Sequence, residues 1–292
     1  MAPTSPASLQ NFLPSSPFPK NMKFLHLAEH IYHRPWFITP EAHASIRMVF
    51  ERALATDLHL EESPLADLFP QRRPLAIADG IATIHILGPL GKNLSKMEQS
   101  CGATSFEAIR ADYATAVATG ARGILLEFDS PGGTVTGTPE LAALIAQKPL
   151  PTVAYTEDIC ASAAYYLASG ADSIVASPSA SVGSIGVYIP WVDTSARNEA
   201  AGLRPDPIVN TGGDLKALGF GGTLTPAQRT HLQESVDASF AQFTAHILAH
   251  RSVDPAAMRG QVLSGSNALA TGLVDAIGDR ALALAKLRSL LT

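Results

Sequence analysis

Cysteine is nearly missing from this chain. Two occur in 292 residues, Cys101 and Cys160, and they lie in separate segments. That excludes a disulfide framework and any Cys-based zinc spacing. It is compatible with a reducing compartment. Long apolar runs are missing as well. None approaches the roughly 20 residues that a membrane helix needs, so no membrane span is expected. Positive charge is not in excess: the net charge is −5, so the basic footprint of a nucleic-acid partner is absent. No histidine stands between His85 and His231. A Ser-His-Asp arrangement built close to a serine in that interval therefore has no base to draw on. No segment repeats, so a tandem architecture is excluded.

What is present is a large core supply, 46% hydrophobic residues, and one stretch, residues 123–187, where small residues and turns are arranged with unusual order. Gly123–Phe128 is a nearly continuous apolar run of the kind buried on both faces of a parallel sheet. It ends at Asp129-Ser130-Pro131-Gly132-Gly133. Pro131 stops a ladder, and the glycine pair lets the backbone approach a ligand and aim N–H groups at an oxyanion. Taken alone, the same pair reads as an ordinary strand-to-helix turn. Thr152–Thr156 is a second strand. It leads to Asp158-Ile159-Cys160-Ala161-Ser162-Ala163-Ala164-Tyr165-Tyr166, where Ser162 stands at a strand-to-helix junction among small residues, at the positive end of a helix dipole. Taken alone, Ser162 can equally cap or pack that helix. A third turn follows at Gly183-Ser184-Ile185-Gly186-Val187.

Together, Ser130-Pro131-Gly132-Gly133, Ala161-Ser162-Ala163-Ala164-Tyr165-Tyr166 and Gly183–Val187 resemble the signal peptide peptidase A family of serine endopeptidases, in the ClpP/crotonase superfamily. The resemblance runs from about Ile81 to Gly278. It implies an α/β fold in which βαβ units form a spiral, with Ser162 as nucleophile and a lysine as general base. Lys216 stands in the matching segment, Thr211–Gly219, ahead of a Thr225-Pro226 helix start. A lysine becomes a base only when desolvation lowers its pKa, and Leu215, Ala217, Leu218 and Phe220 offer apolar surroundings. The resemblance further implies an oxyanion hole from Gly132 or Gly133 and Ala163. Substrate contacts are expected at Gly183, Ser184, Ile185 and Gly186, with no cofactor and no metal. Cys160 becomes a packing residue. The implied partners are a peptide or unfolded protein and further copies of the chain in a ring, with the dyad shared between neighbours. Tyr188 and Trp191 on an expected strand, Tyr188–Val192, are interface-type residues. Ile247 and Leu248 on the long helix also call for cover.

The front of the chain resembles phage and prophage members of the family, which act on capsid, portal or scaffold proteins. A bacterial host cytoplasm or a phage prohead is the expected location. Residues 1–22, rich in Pro and Ser, are expected to form a disordered tail without a secretory signal, with Met22 a candidate alternative start. Residues 23–75 are expected to form a helical extension and linker, and residues 76–292 the peptidase core. His26, His30 and His33 share a helix face, but no acidic or cysteine partner completes a metal site.

Along the core, strands are expected at Ile81–Leu87, Gly123–Phe128, Thr152–Thr156, Ser173–Ala176 and Val187–Val192. Helices are expected at Ser105–Thr119, with Phe106, Ile109, Tyr113 and Val117 inward, at Thr138–Gln147, and from Thr225, where Thr225 and Gln228 have capping-box spacing. Two other classes of reading stay open on residues alone: a catalytically inactive capsid or scaffold component, and a crotonase-type acyl-CoA enzyme using the same oxyanion geometry.

Overall fold

A computed structural model describes residues 31–56, 73–220 and 222–292. The strands are β1 (Trp36–Ile38), β2 (Ala76–Ala78), β3 (Ile81–Leu87), β4 (Leu90–Gly91), β5 (Thr104–Ser105), β6 (Gly123–Ser130), β7 (Gly132–Thr134), β8 (Thr152–Ala161), β9 (Ser173–Ala176), β10 (Ser181–Gly183), β11 (Val262–Ser264) and β12 (Ala276–Ile277). The helices are α1 (Pro40–Thr56), α2 (Lys96–Ser100), α3 (Phe106–Ala118), α4 (Thr138–Ala146), α5 (Ala163–Ala168), α6 (Ser195–Ala200), α7 (Pro226–His250), α8 (Gly265–Ala270) and α9 (Arg280–Ser289).

The larger sheet runs β11-β10-β8-β6-β3-β2, with β9 and β12 attached through β8. Its centre is parallel: β3 pairs β6, β6 pairs β8, and β8 pairs both β9 and β10. Parallel strands need helical crossovers, and covering both faces calls for apolar side chains in continuous runs. Ile124, Leu125 and Leu126 are accordingly all buried. This is the expected α/β architecture of βαβ units. β8 is the pivot: its first half pairs β9 at residues 153–156, its last residues pair β10 at 159–161.

Side chains cap several of the helices, one of them with the expected capping box. The Ser105 hydroxyl accepts from the Ala108 N–H at the start of α3, and Thr225 and Gln228 form a reciprocal capping box on α7. Thr39 caps α1 through the Ala42 N–H. At the far end, Asp275 Oδ2 accepts from the Ile174 N–H at 2.6 Å and from Arg251 at 2.5 Å, pinning residues 272–275 onto β9. Glu127 joins His85 and Arg280, tying α9 to the sheet.

Several expectations are corrected. Thr152–Thr156 is the start of a strand that continues to Ala161; exposed Glu157 and Asp158 lie where its register with β6 shifts, between the Phe128–Thr156 and Ser130–Cys160 pairs. Gly132-Gly133 is not a turn into a helix but belongs to β7, in a second sheet ordered β1-β7-β4-β5. Between the expected strand Ile81–Leu87 and the expected helix from Ser105, the chain also forms β4 and α2. The inward face of α3 uses Ala116 in place of Val117, which is 42% exposed. Val187–Val192 is not a strand: one bridge, Trp36 to Tyr188, is all that forms, and Pro190 has no N–H to extend it. On α7, Phe243 and Ile247 are buried within the chain, while Leu232, Val236 and Phe240 are half-covered and Leu248 is exposed. Tyr188 and Trp191 have partners inside the chain. Trp191 Nε1 donates to the Gly222 carbonyl at 2.9 Å, and Tyr188 packs edge-on against His43.

Candidate active site

β8 delivers Ser162 to the N-terminus of α5. Ser162 has φ 55° and ψ −116°, a region sparsely populated by residues with a side chain. Holding it there costs about 1–3 kcal/mol, which the surroundings must over-determine. They do so with backbone bonds on both sides. The Ser162 N–H donates to the Gly183 carbonyl at 2.7 Å, and the Ser162 carbonyl accepts from the Tyr166 N–H at 2.8 Å. The side chain is 1% exposed. Its Oγ has no hydrogen-bond partner among the described residues. A buried, unpaired hydroxyl on a strained strand-to-helix junction calls for a functional account. A packing or capping serine would have bonded its hydroxyl to the helix, and this one makes no cap bond.

Gly132 lies against it. A Cβ added to Gly132 would stand 2.9 Å from Ser162 Cβ, so only hydrogen fits there. Ser130 braces the loop: its hydroxyl donates to the Gly88 carbonyl at 2.7 Å and accepts from the Gly132 N–H at 3.2 Å. Ala163 heads α5, where the first N–H groups of a helix have no partner within it. Residues 132–133 and Ala163 are thus brought to the serine from two elements.

The third motif flanks the same point. Gly183 ends β10, beside Ala161, and supplies the carbonyl that holds Ser162. Ser184, with φ 52°, donates its N–H to the Gln261 carbonyl at 2.8 Å. Ile185 is fully buried in the core, and Gly186 is half-buried against Gly260. The Gly183 carbonyl therefore supports the backbone of Ser162, and the Ser184 N–H anchors the turn to Gln261.

Lys216 is placed differently. It lies in the turn-rich segment 211–220, exposed, with its N–H bonded to the Gly213 carbonyl at 2.8 Å. Within one chain it makes no bond to Ser162 Oγ. Its apolar neighbours do not enclose it: Leu215 is 38% and Phe220 62% exposed. Cys160 is buried and its thiol is pushed well up by burial, which keeps it protonated and unreactive. His231 is exposed on α7. His246 stacks on Tyr166 at 4.6 Å, and burial first, then His250, lowers its pKa to about 4. Among the described residues no group of three or more His, Cys, Asp or Glu could hold a metal ion; His26 and His30 lie outside them. No helix among them is long and apolar enough to cross a membrane.

The family model of peptidase family S49 matches residues 145–292, half of the chain, with Ser162 and Lys216 both inside. The chain belongs to peptidase family S49. It is 31% identical over 176 residues to a putative protease of Methanocaldococcus jannaschii, covering 58% of this chain and 56% of that protein. It is 28% identical over 228 residues to capsid assembly protease C of Escherichia phage lambda, covering 76% and 52%. The chain spans about half the length of the curated relatives it matches. A solved enoyl-CoA hydratase from Shewanella pealeana aligns over 80% of this chain and 78% of its own, at 12% identity and a TM-score of 0.42, too low to carry an argument.

For this S49 member the glycines permit a direct check. Gly133→Ala would place Cβ 1.9 Å from the Leu90 carbonyl oxygen. Gly132→Ala would place it 2.1 Å from the Phe37 carbonyl oxygen, at a φ of 108°. Both obstacles are backbone atoms, not the far ends of flexible side chains. Each substitution is expected to lower stability by about 2–4 kcal/mol in chemical denaturation. Gly120→Ala, at φ 76° with nothing within 4 Å, is expected to lose only about 1 kcal/mol from the left-handed backbone.

Proposed function

We propose that this chain is a serine endopeptidase with Ser162 as nucleophile and Lys216 as general base. The observation that carries it is the buried, unpaired Ser162 Oγ on a strained strand-to-helix elbow, with glycine backbone packed against its Cβ. In the mechanism, neutral Lys216 takes the Oγ proton as the oxygen attacks the scissile carbonyl. The N–H groups of Gly133 (or Gly132) and Ala163 hold the resulting oxyanion. The lysine then passes the proton to the leaving amine, and water, deprotonated in the same way, releases the acyl group. The Gly183–Gly186 turn lines the peptide's path.

The lysine reaches the serine from a neighbouring copy. The described residues of segment 201–225 contain neither helix nor strand, which is long for a structureless connection. It carries Leu203, Ile208, Val209, Leu215 and Phe220 exposed, with Ile208 at 99%. Apolar side chains on an extended arm mark an interface. A ring of identical chains, each arm laid on the next subunit, would cover these residues and desolvate Lys216 at the same time. The kinship with capsid assembly protease C and with the head-tail preconnector protein GP5 of Enterobacteria phage P21 supports phage head or scaffold proteins as substrates, inside a host cell or prohead.

The test is turnover of casein and of an unfolded scaffold protein, with acyl-CoA thioesters and enoyl-CoA in parallel. Peptide cleavage is expected, with no change in the thioesters. Hydration or hydrolysis of the CoA substrates without peptide cleavage would replace this reading by a crotonase-type one. No turnover of either would leave a structural capsid component.

A further inference from the structure

β1 comes from outside the peptidase core and lies in its most sensitive place, along the edge of β7. The register pairs Trp36 with Thr134, Phe37 with Gly133 and Ile38 with Gly132, antiparallel. Two bonds fix the phase of this ladder. The Thr39 N–H donates to the Pro131 carbonyl at 3.1 Å, and the Val135 N–H donates to the Pro35 carbonyl at 3.5 Å. Bonded and non-bonded pairs alternate along an antiparallel ladder. Phe37 and Gly133, midway between those two pairs, are therefore a bonded pair, with the Gly133 N–H directed at the Phe37 carbonyl. That N–H is the first of the two glycine donors that the mechanism above offers to the oxyanion.

The same carbonyl is close to the nucleophile. One point, the Cβ position of Gly132, is 2.1 Å from the Phe37 oxygen and 2.9 Å from Ser162 Cβ, so those two atoms are at most about 5 Å apart. On its other edge β1 is clasped by Tyr188, just past the Gly183–Gly186 turn. The Trp36 N–H donates to the Tyr188 carbonyl at 2.9 Å, and the Tyr188 N–H to the Trp36 carbonyl at 3.4 Å. The Phe37 ring is buried, edge-on to Phe243 at 4.9 Å and 5.8 Å from Tyr166, which is one turn beyond Ser162. A backbone carbonyl on the oxyanion donor, a side chain in an aromatic pocket beside the nucleophile, and hydrogen bonds on both edges are the contacts of a peptide held by strand addition.

We propose that Pro35–Ile38 occupies the peptidase's own peptide slot as an internal ligand, with Phe37 in the position of the residue preceding the cut bond, and that this strand leaves before a substrate enters. The proposal rests on the peptidase reading above. It also names the substrate class: an extended segment with a large apolar or aromatic residue on the N-terminal side of the scissile bond, able to take Phe37's place against Tyr166 and Phe243.

Pinning the strand tests this. Trp36 and Thr134 are a directly opposed, non-bonded pair, whose Cα atoms stand about 4.5 Å apart in such ladders, within disulfide range. Trp36→Cys with Thr134→Cys, in a Cys101→Ser background, gives one full-length protein to compare oxidised and reduced. The readouts are peptide turnover and labelling of Ser162 by a peptidyl phosphonate ending in Phe. Oxidation is expected to slow both by about tenfold or more, because the slot-open fraction falls, and dithiothreitol should restore both. Equal rates in the two states, with the disulfide verified by mass, would overturn the proposal. Should the double variant not fold, the unsubstituted chain gives the same answer. Phosphonate modification of Ser162 should raise amide exchange at Trp36 and Phe37 by about tenfold or more; unchanged protection on a fully labelled protein overturns the proposal. Absence of Ser162 labelling and of turnover in the unsubstituted chain and in both states of the variant instead removes the peptidase reading, and the proposal with it.

Discussion

Ser162→Ala is expected to abolish peptide hydrolysis, by about a thousandfold or more, as nucleophile removal does elsewhere. The same change should leave the fold almost untouched. Alanine keeps the Cβ that packs on Gly132, and the lost Oγ bonds nothing among the described residues. Removing a buried hydroxyl that has no partner is near neutral, so the unfolding free energy should move by no more than about 1 kcal/mol. Activity and stability therefore separate at this position. Two neighbouring serines are the comparators. Ser130→Ala deletes the bonds to Gly88 and Gly132, so it should loosen the glycine strand and lower stability by about 1–2 kcal/mol while retaining measurable turnover. Ser184 holds its place through its backbone N–H, and Ser184→Ala should retain turnover too. A Ser162→Ala enzyme at near-normal rate, with Ser130→Ala or Ser184→Ala inactive, would remove the nucleophile assignment.

The parts of this fold that were legible in the sequence are those written in local pattern. The apolar run 81–87 and the run from Gly123 are buried parallel strands, because continuous hydrophobicity serves a sheet covered on both faces. The Thr225/Gln228 pair announces its helix through capping chemistry that acts within four residues. Where expectation failed, the deciding contact was distant. β1 is three residues between Pro35 and Thr39, and nothing local announces its pairing with residues 132–134. The signal is composition: Trp36-Phe37-Ile38 is strand-forming and wholly apolar, although it falls inside the expected helical extension. The same distance explains Gly132-Gly133. A glycine pair reads as a turn until another strand supplies its ladder. The serine motif placed Ser162 at its junction, but φ 55° and the orphaned Oγ are properties of the folded backbone alone.

Lys216→Ala and Ser162→Ala chains, each inactive alone, are expected to regain activity when refolded together. The structure brings the glycine pair, Ala163 and the Gly183 turn to Ser162, while Lys216 stays exposed on an arm with apolar side chains uncovered. If a neighbour supplies the lysine, a ring with head-to-tail contacts makes each site from the serine of one chain and the lysine of the next. In an equal mixture, chance places an intact serine beside an intact lysine in about a quarter of contacts, so about a quarter of wild-type turnover should return. Lys216→Arg should behave as Lys216→Ala in both the single and the mixed experiment, because a guanidinium keeps its proton at any working pH. Sedimentation should show the unsubstituted chain as an oligomer, and Ile208→Asp, placing a charge in the uncovered arm, should lower both assembly and turnover while leaving the monomer folded. A fully active monomer, with no recovery on mixing, would place serine and lysine in one chain and require the 201–225 arm to fold back over the site.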